Sequence, residues 1–469
     1  AEVDLDAVAH NVRALVELSE VKAVITYDEM LPTLRQHLQG IPTLGALLNI
    51  DDLEPGGDLQ RYLDRAPAQP QDTAFLQHSS GSTGLQKGIM LAHGAVLNQV
   101  AAYSAAINLQ PDDVIVSWLP LYHDMGLIAG FIMPVIQGLH LVLMSPFHWV
   151  REPAILLHAI DTYRGTLCWL PNFAYNFLAA RVRPSALEGL DLSSLRAVIN
   201  CSEPVRADSH EVFLERYQPY GLRPDALATC YAMAENTFAV TQSAVGALPH
   251  IDVIDRALIM EQRIAQPAGP DNGFVTRMVS CGAPIPNTEL RIVDAERRDL
   301  PDRHVGEVAL RSDCMLSGYY HRPDATAEAI QDGWYFTGDL GYLADGELYI
   351  TGREKDLIIV GGKNIYPQDI ENVLNDISGV HPGRVVAFGV LNEALGTEDI
   401  AVLAETETDD PEQQSDIIRE IRARIAQTTD TMARYVHLVE PMWLLKTSSG
   451  KIARSANRQK FLTDVLGQQ

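Results

Sequence analysis

Four short, nearly continuous apolar runs constrain this chain more than any other feature. Val21-Lys22-Ala23-Val24-Ile25-Thr26, Val114-Ile115-Val116-Ser117, Leu141-Val142-Leu143-Met144 and Ala197-Val198-Ile199-Asn200 each lead into turn or loop residues. A strand that is apolar on both faces is covered on both faces, as in a parallel sheet flanked by helices. Helical patterns separate these runs over the first three quarters of the chain, so the sequence predicts an α/β fold rich in parallel strands.

From Glu289 the period changes. Glu289–Val293, Gly306–Leu310 and Glu347–Ile350 alternate apolar with polar residues and are separated by turns such as Asp345-Gly346. That pattern predicts an antiparallel, β-barrel-like subdomain over about 286–352, after α/β structure to about 285. A small α+β unit follows Arg353, with a helix at Asp369–Ile377, a strand at Val385–Val390 and a helix near Asp416–Thr428. The expected division is a large region, 1–352, and a small one, 353–469. Gln266 to Asn272 is rich in Pro and Gly and reads as an exposed loop.

Charge and cysteine usage narrow the function classes. A net charge of −25 argues against nucleic acid or an anionic membrane as a partner. The five cysteines are scattered without a Cys-x-x-Cys, which fits a reducing cytoplasm and not a disulfide framework or structural zinc site. No basic segment followed by an apolar core opens the chain, so no signal peptide is visible. The most apolar stretch, Met125 to Met144, is broken by Gly126, Gly130, Pro134 and Gly138 and reads as buried helix and strand, not as an integral membrane span. A soluble, cytoplasmic protein is expected.

The run His78-Ser79-Ser80-Gly81-Ser82-Thr83-Gly84-Leu85-Gln86-Lys87-Gly88 carries the strongest chemical signal. Its glycines let backbone N–H groups approach an anion, and Ser79, Ser80, Ser82, Thr83 and Lys87 add hydroxyls and a cation. This is the composition of a phosphate cradle, set between an extended run at Thr73–Leu76 and an amphipathic stretch from Ala92 to Ile107. It is not a Walker A loop, because Lys87 is followed by Gly88 and not by Ser or Thr. Taken alone it could also be a flexible surface loop.

Four further motifs follow in order. Tyr231-Ala232-Met233-Ala234-Glu235-Asn236-Thr237 offers an aromatic face for a flat base and, four positions on, a carboxylate for a metal. Tyr335-Phe336-Thr337-Gly338-Asp339-Leu340-Gly341 sets a short carboxylate among turn-forming residues. Gly352-Arg353-Glu354-Lys355-Asp356 is a charge run at the expected domain junction. Lys446-Thr447-Ser448-Ser449-Gly450-Lys451-Ile452 places a lysine on a Gly/Ser-rich loop. Each alone has a plain structural reading: a core tyrosine, a β-turn aspartate, a solvated charge run, a surface lysine.

Together, the five resemble the adenylate-forming superfamily, which makes an acyl-AMP from ATP and a carboxylic acid. The resemblance runs from about residue 20 to the C-terminus. It implies that the 78–88 loop, with Gly81 and Gly84, holds the β- and γ-phosphates, that Tyr231 stacks on adenine, and that Asp339 accepts the ribose hydroxyls. It further implies Mg²⁺ on Glu235, Thr237 near the phosphate path, Arg353 on the nucleotide, and a hinge at Lys355 for a mobile C-terminal domain. Lys451 would stabilise the charge that builds as a carboxylate attacks the α-phosphate.

Three stretches resemble the fatty acyl-AMP ligase branch in particular. Trp118 to Leu127 carries its His-Asp-Met-Gly run, with Tyr122 where a second histidine is frequent and His123 near the acid's carboxylate. Pro171-Asn172-Phe173-Ala174-Tyr175 resembles a segment lining the acyl tunnel, and Met233 is implied on the same side. Asn200-Cys201-Ser202-Glu203-Pro204-Val205-Arg206 resembles its Asn-Gly-Ala-Glu-Pro-Val-Arg, implying nucleotide contacts at Ser202 and Glu203. The span from about Asp252 to Met278 resembles the insertion thought to hinder small-domain rotation in this branch, which would direct the acyl group to a carrier protein's phosphopantetheine arm and not to CoA. A neutral surface loop is the alternative reading of that span.

Two departures stand out. Trp169 occupies a position where the family has small residues, and a ring there could shorten the acyl tunnel. Relatives also have roughly a further hundred residues, a small domain's worth, before the equivalent of Ala1. An acyl- or aryl-CoA ligase and a catalytically silent adenylate-binding scaffold are the competing functions.

Overall fold

The computed structural model describes residues 5–54, 56, 67–78, 87–392, 395, 397–446 and 451–467. Most of the phosphate-loop motif, Ser79 to Gln86, lies outside the described residues, as do Thr447 to Gly450.

A seven-stranded sheet organises the first half. Its order is Ala283–Pro284, Ala239–Gln242, Leu227–Ala232, Ala197–Asn200, Leu167–Leu170, Val114–Ser117 and His140–Leu143. The five strands from Leu227–Ala232 to His140–Leu143 pair in parallel, and the other two add antiparallel at one edge. Leu167–Leu170 and Ala197–Asn200 are buried at every residue, which is why they read as continuous apolar runs. The Ala23–Thr26 part of the first run instead forms a separate two-stranded parallel unit with Ala46–Asn49, and only Thr26 of it is buried, so this run is not covered on both faces.

One local reading is corrected. The loop at 78–88 was expected to lead straight into a helix, but Gly88–Ala92 forms a strand that pairs antiparallel with Thr73–His78 before the helix His93–Ala106 begins. Ile89 and Leu91 are fully buried on one face of it. The two-residue period over five residues is too short to separate from a helix start by pattern alone.

The change of period at Glu289 corresponds to antiparallel pairing of Thr288–Val293, Gly306–Ser312, Trp334–Ala344 and Glu347–Arg353. The turn between the last two uses Asp345 and Gly346, both with positive φ (53° and 79°), as a two-residue hairpin demands. Beyond it, the helix Pro367–Leu374, the strands Val385–Asn392, Thr397–Glu405 and Ala433–Val439, and the helix Pro411–Thr429 form a C-terminal unit.

The span from 252 to 278 is structured. Strand Ile251–Asp255, helix Arg256–Gln262 and strand Val275–Val279 form a β-α-β hairpin, with the two strands antiparallel. Its Ile254, Ile259 and Met260 share one apolar core with Ile358, Ile365 and Ile370 of the C-terminal unit. Among the described residues, no helix is long and apolar enough to cross a membrane.

Candidate active site

The ends of two strands bring the nucleotide motifs together. Tyr231 closes the strand Leu227–Ala232, and its hydroxyl donates to Asp339 Oδ2 at 2.7 Å. Asp339 and Arg353 face one another across neighbouring strands, and the Arg353 Nε donates to Asp339 Oδ1 at 3.0 Å. The Asp339 charge, the largest influence on Arg353, holds its guanidinium above the usual range. Lys355 lies close enough to feel Arg353, Asp339 and Lys87. Burial first, and then the Arg353 charge, lower its ammonium's pKa.

The base of the phosphate loop is tied to the metal candidate through Tyr319. The pairing of Gly318–Tyr319 with the strand Gly88–Ala92 sets this tyrosine beside Lys87, whose Nζ lies 4.6 Å over its ring. The Tyr319 hydroxyl reaches Glu235 Oε1 and Tyr335 Oη, each at 3.2 Å. Burial pushes the Glu235 carboxyl up, and the nearby charge of Asp124 adds to the rise. An ionised Glu235 therefore lacks enough positive charge around it, which is the environment a divalent cation would relieve. A single carboxylate shared with substrate phosphates is also how Mg²⁺ is ordinarily held.

Thr237 sits at the centre of a tight γ-turn. Its φ is 62° and ψ −48°, and the Phe238 N–H donates to Asn236 O at 2.6 Å. This turn is rare and strained, more so for a β-branched residue. The Thr237 hydroxyl is buried and donates to Cys314 O at 2.7 Å. The turn's effect on the site is to reverse the chain directly after Glu235.

The loop between Ser117 and Met125 carries His123. Gly126 lets it pack tightly, because a Cβ there would fall 2.3 Å from Pro120 O. Asp124 caps the π-helical segment Met125–Ile132, accepting from the Met125 N–H at 2.8 Å, and its Oδ1 lies 2.5 Å from His123 Nδ1. Burial opposes ionisation of Asp124, yet His123 and Lys451 together outweigh it and hold the carboxyl below its usual range. Lys451, in the C-terminal unit, is thus near enough for its charge to act on Asp124. The bridge between Lys446 and Ile452 closes the base of its loop.

On the acyl side the predicted residues are packed into the fold. Trp169 is 1% exposed, and its Nε1 donates to Tyr103 Oη at 2.7 Å, which in turn donates to Gln242 at 2.9 Å. The Tyr175 hydroxyl donates to Val198 O at 3.1 Å. Asn172 donates to Ser209 and accepts from Asn200 and the Arg206 N–H, so its amide braces three segments. Pro171 is buried just ahead of it, and Met233 is half-buried against the β-subdomain core. Ser202 takes a left-handed conformation, φ 70°, and Glu203 accepts from the Phe173 N–H at 2.8 Å.

Sequence reasoning passed over two contributors, Asp124 and Tyr319, and gave the span 252–278 no secondary structure, whereas it holds the helix Arg256–Gln262. Asp124 was visible only as a partner of His123. Tyr319 has no motif, because it acts through strand pairing. The helix contacts the C-terminal unit at named points: Asn364 Nδ2 donates to Met260 O at 3.0 Å, Arg263 to Asn364 Oδ1 at 3.2 Å, and Arg256 to Thr428 O at 3.3 Å.

Comparison with known proteins adds to this geometry. Residues 2–320 match the family described as AMP-binding enzyme. The chain is 33% identical over 480 residues to the medium-chain-fatty-acid acyl-carrier-protein ligase JamA of Moorena producens, covering 99% of this chain and 79% of that protein. It is 33% identical over 430 residues to the long-chain-fatty-acid–AMP ligase FadD26 of Mycobacterium bovis, covering 87% and 73%. Among solved structures, one from a study of fatty acyl-adenylate ligases of E. coli and L. pneumophila superposes with a TM-score of 0.91 at 31% identity, covering 98% of this chain and 82% of that one.

Proposed function

The chain belongs to the AMP-binding enzyme family, and from that premise we propose that it activates a hydrophobic carboxylic acid as acyl-AMP and passes the acyl group to the phosphopantetheine thiol of a carrier protein. In the first step a carboxylate oxygen attacks the α-phosphorus of ATP. The bond from that phosphorus to the bridging oxygen breaks, and pyrophosphate leaves. Asp339 and Arg353 hold the ribose and its surroundings, Tyr231 covers the base, and His123 meets the acid. Lys451 offsets the negative charge that accumulates at the α-phosphate. Glu235 would hold Mg²⁺, which would offset the charge on the leaving pyrophosphate.

The observation that supports adenylation most is that Tyr231, Asp339 and Arg353, from three separate motifs, join in one chain of hydrogen bonds, with Lys451 of the C-terminal unit near enough for its charge to act on Asp124. For the acceptor, support comes from the 251–279 hairpin. It fastens the C-terminal domain through apolar packing and the contacts at Asn364 and Thr428. A domain so held resists the rotation about Lys355 that delivery to CoA requires. Five free, buried cysteines suit a cytoplasmic setting.

The test supplies Mg-ATP, CoA, a phosphopantetheinylated carrier protein and a panel of acetic, octanoic, dodecanoic, hexadecanoic and benzoic acids, with products read by mass spectrometry. Acyl-AMP and acyl-carrier protein without acyl-CoA are expected, and abundant acyl-CoA overturns the choice of acceptor. Replacing Arg256 and Asn364 by Ala removes the polar contacts of the hairpin. Acyl-CoA is expected to become detectable in that variant while acyl-AMP formation stays within about threefold of wild type, because the three hydrogen bonds it removes, Arg256 to Thr428 O, Asn364 to Met260 O and Arg263 to Asn364 Oδ1, contribute only about 0.5–1.5 kcal/mol each.

A further inference from the structure

The segment from Leu316 to Tyr320 belongs to none of the nucleotide motifs, yet its backbone is stitched to two of them. The Leu316 N–H donates to Glu235 O at 2.8 Å, at the turn that carries the metal candidate. The Ser317 N–H donates to Met90 O at 2.9 Å and the Tyr320 N–H to Gly88 O at 2.7 Å, so the same segment is paired with the strand that follows Lys87. Gly318 permits the close fit: its φ is 149°, and a Cβ there would stand 3.1 Å from Thr326 Cγ2. The Thr326 hydroxyl accepts from the Tyr319 N–H at 2.9 Å and fixes the backbone of the tyrosine.

The Tyr319 side chain meets the same two motifs. Its residue is 4% exposed, and its ring lies under Lys87 Nζ, 4.6 Å from the centroid, as a cation–π contact. Its hydroxyl lies 3.2 Å from Glu235 Oε1 and 3.2 Å from Tyr335 Oη. A phenol keeps its proton near neutrality, and an ionised carboxylate can only accept. The direction of the chain is therefore set: Tyr335 donates to Tyr319, and Tyr319 donates to Glu235. That bond fixes the orientation of the carboxylate while the ring beneath it seats a cation.

We propose that Tyr319 is a positioning residue for the phosphates of the nucleotide: its hydroxyl orients the Glu235 carboxylate for a divalent cation, and its ring seats the Lys87 ammonium. The inference rests on the reading of Glu235 and Lys87 given above and adds the residue that couples them. The two parts of the side chain can be separated, because Tyr319→Phe removes the hydroxyl and keeps the ring, whereas Tyr319→Leu removes both.

The test measures binding without turnover. Calorimetry gives the affinity of the whole chain for α,β-methylene-ATP, which cannot be cleaved at the α–β bridge, first in Mg²⁺ and then in EDTA. The ratio of the two is the gain due to the metal, expected to be about tenfold or more in the wild type. Tyr319→Phe is expected to lower that gain about fivefold and to leave the affinity in EDTA within about twofold of wild type, because Lys87 keeps its ring. Tyr319→Leu is expected to lower the affinity in EDTA about fivefold as well. In a Glu235→Gln background, Tyr319→Phe is expected to change the gain by less than about twofold, because the hydroxyl acts through that carboxylate. Equal losses in Mg²⁺ and in EDTA for Tyr319→Phe are what a merely structural role gives, and they overturn the proposal. An affinity in EDTA that Tyr319→Leu leaves unchanged overturns the part given to the ring.

If Tyr319→Phe does not fold, Tyr335→Phe is the deciding variant. It leaves Tyr319 in place and removes the group that turns its O–H toward Glu235. The gain is then expected to fall about threefold, and an unchanged gain overturns the proposal. A wild type with no gain from Mg²⁺ refutes the metal assignment to Glu235, and this inference with it. A wild-type gain that Tyr319→Phe leaves whole refutes this inference alone.

Discussion

The two ends of the candidate site are built on opposite plans. At the nucleotide end, charged and hydroxyl groups from separate strands converge: Tyr231, Asp339 and Arg353 in one chain of contacts, Lys87, Tyr319 and Glu235 in another. At the acyl end the polar atoms of Trp169, Tyr175 and Asn172 are satisfied within the fold. The difference follows from what each end would bind. A nucleotide presents many donors and acceptors and needs preset partners, whereas an acyl chain offers apolar surface alone and is selected by shape. Specificity for the acid should therefore reside in packed side chains, and affinity for ATP in a few charged ones.

The sharpest way to break that contrast is at Trp169. Its ring is enclosed against Tyr103 with centroids 6.2 Å apart, and Tyr103 meets Phe238 edge-on at 5.3 Å. Trp169→Gly is expected to cost about 3–5 kcal/mol of stability from lost burial and the cavity left behind. If this wall bounds the acyl site, the same variant shifts preference toward longer acids of the panel, read as the ratio of acyl-AMP products. A stability loss with an unchanged chain-length profile would make Trp169 a core residue only. Trp169→Phe, which keeps most of the volume, is the control for gross destabilisation.

The complementary change falls on the nucleotide end. Asp339→Ala removes the acceptor of both the Tyr231 hydroxyl and the Arg353 guanidinium. Hydrogen bonds from the ribose hydroxyls to an ionised Asp339 would contribute about 1.5–3 kcal/mol each, so an increase of about a hundredfold in the KM for ATP is expected, with the ranking of acids unchanged. Steady-state pyrophosphate release at varied ATP and varied acid separates the two. A change in acid ranking would show that the ends are coupled.

Legibility in the sequence differed along the same line. The nucleotide motifs could be recognised because glycines, hydroxyls and charges at short spacing have few structural uses besides ligands. The parallel sheet was readable from runs such as Ala197–Asn200, where burial on both faces removes polar alternation. The strand Gly88–Ala92 was not, since five residues do not distinguish periods. Nor was the γ-turn at Thr237, because its conformation is imposed by contacts with Cys314 distant in sequence. The insertion could be read as extra length, but its grip on Asn364 depends on a contact about a hundred residues away. Asp124 was hidden by its ordinary role, as an acid before a helix reads first as a cap.

Glu235 tests the contrast most finely, because it separates binding from folding within one residue. Its carboxyl titrates above the usual range, chiefly through burial. A folded-state pKa above the unfolded value means that the proton is held more tightly in the folded protein. The contribution to stability is fully present below the ordinary value of 4.5 and is lost as pH rises through the raised value. Glu235→Gln carries no charge at any pH, so in the absence of nucleotide the variant should have the higher Tm near neutrality. That advantage should close as pH falls toward the ordinary carboxylate range. Activity should move the other way, with the apparent affinity for Mg-ATP falling about tenfold as a charged contact is lost. Thermal denaturation at several pH values, with and without Mg-ATP, reads both effects in one experiment. A variant less stable than wild type near neutrality would mean that Tyr319 and Arg353 already balance the Glu235 charge, and that the site needs no cation for that purpose.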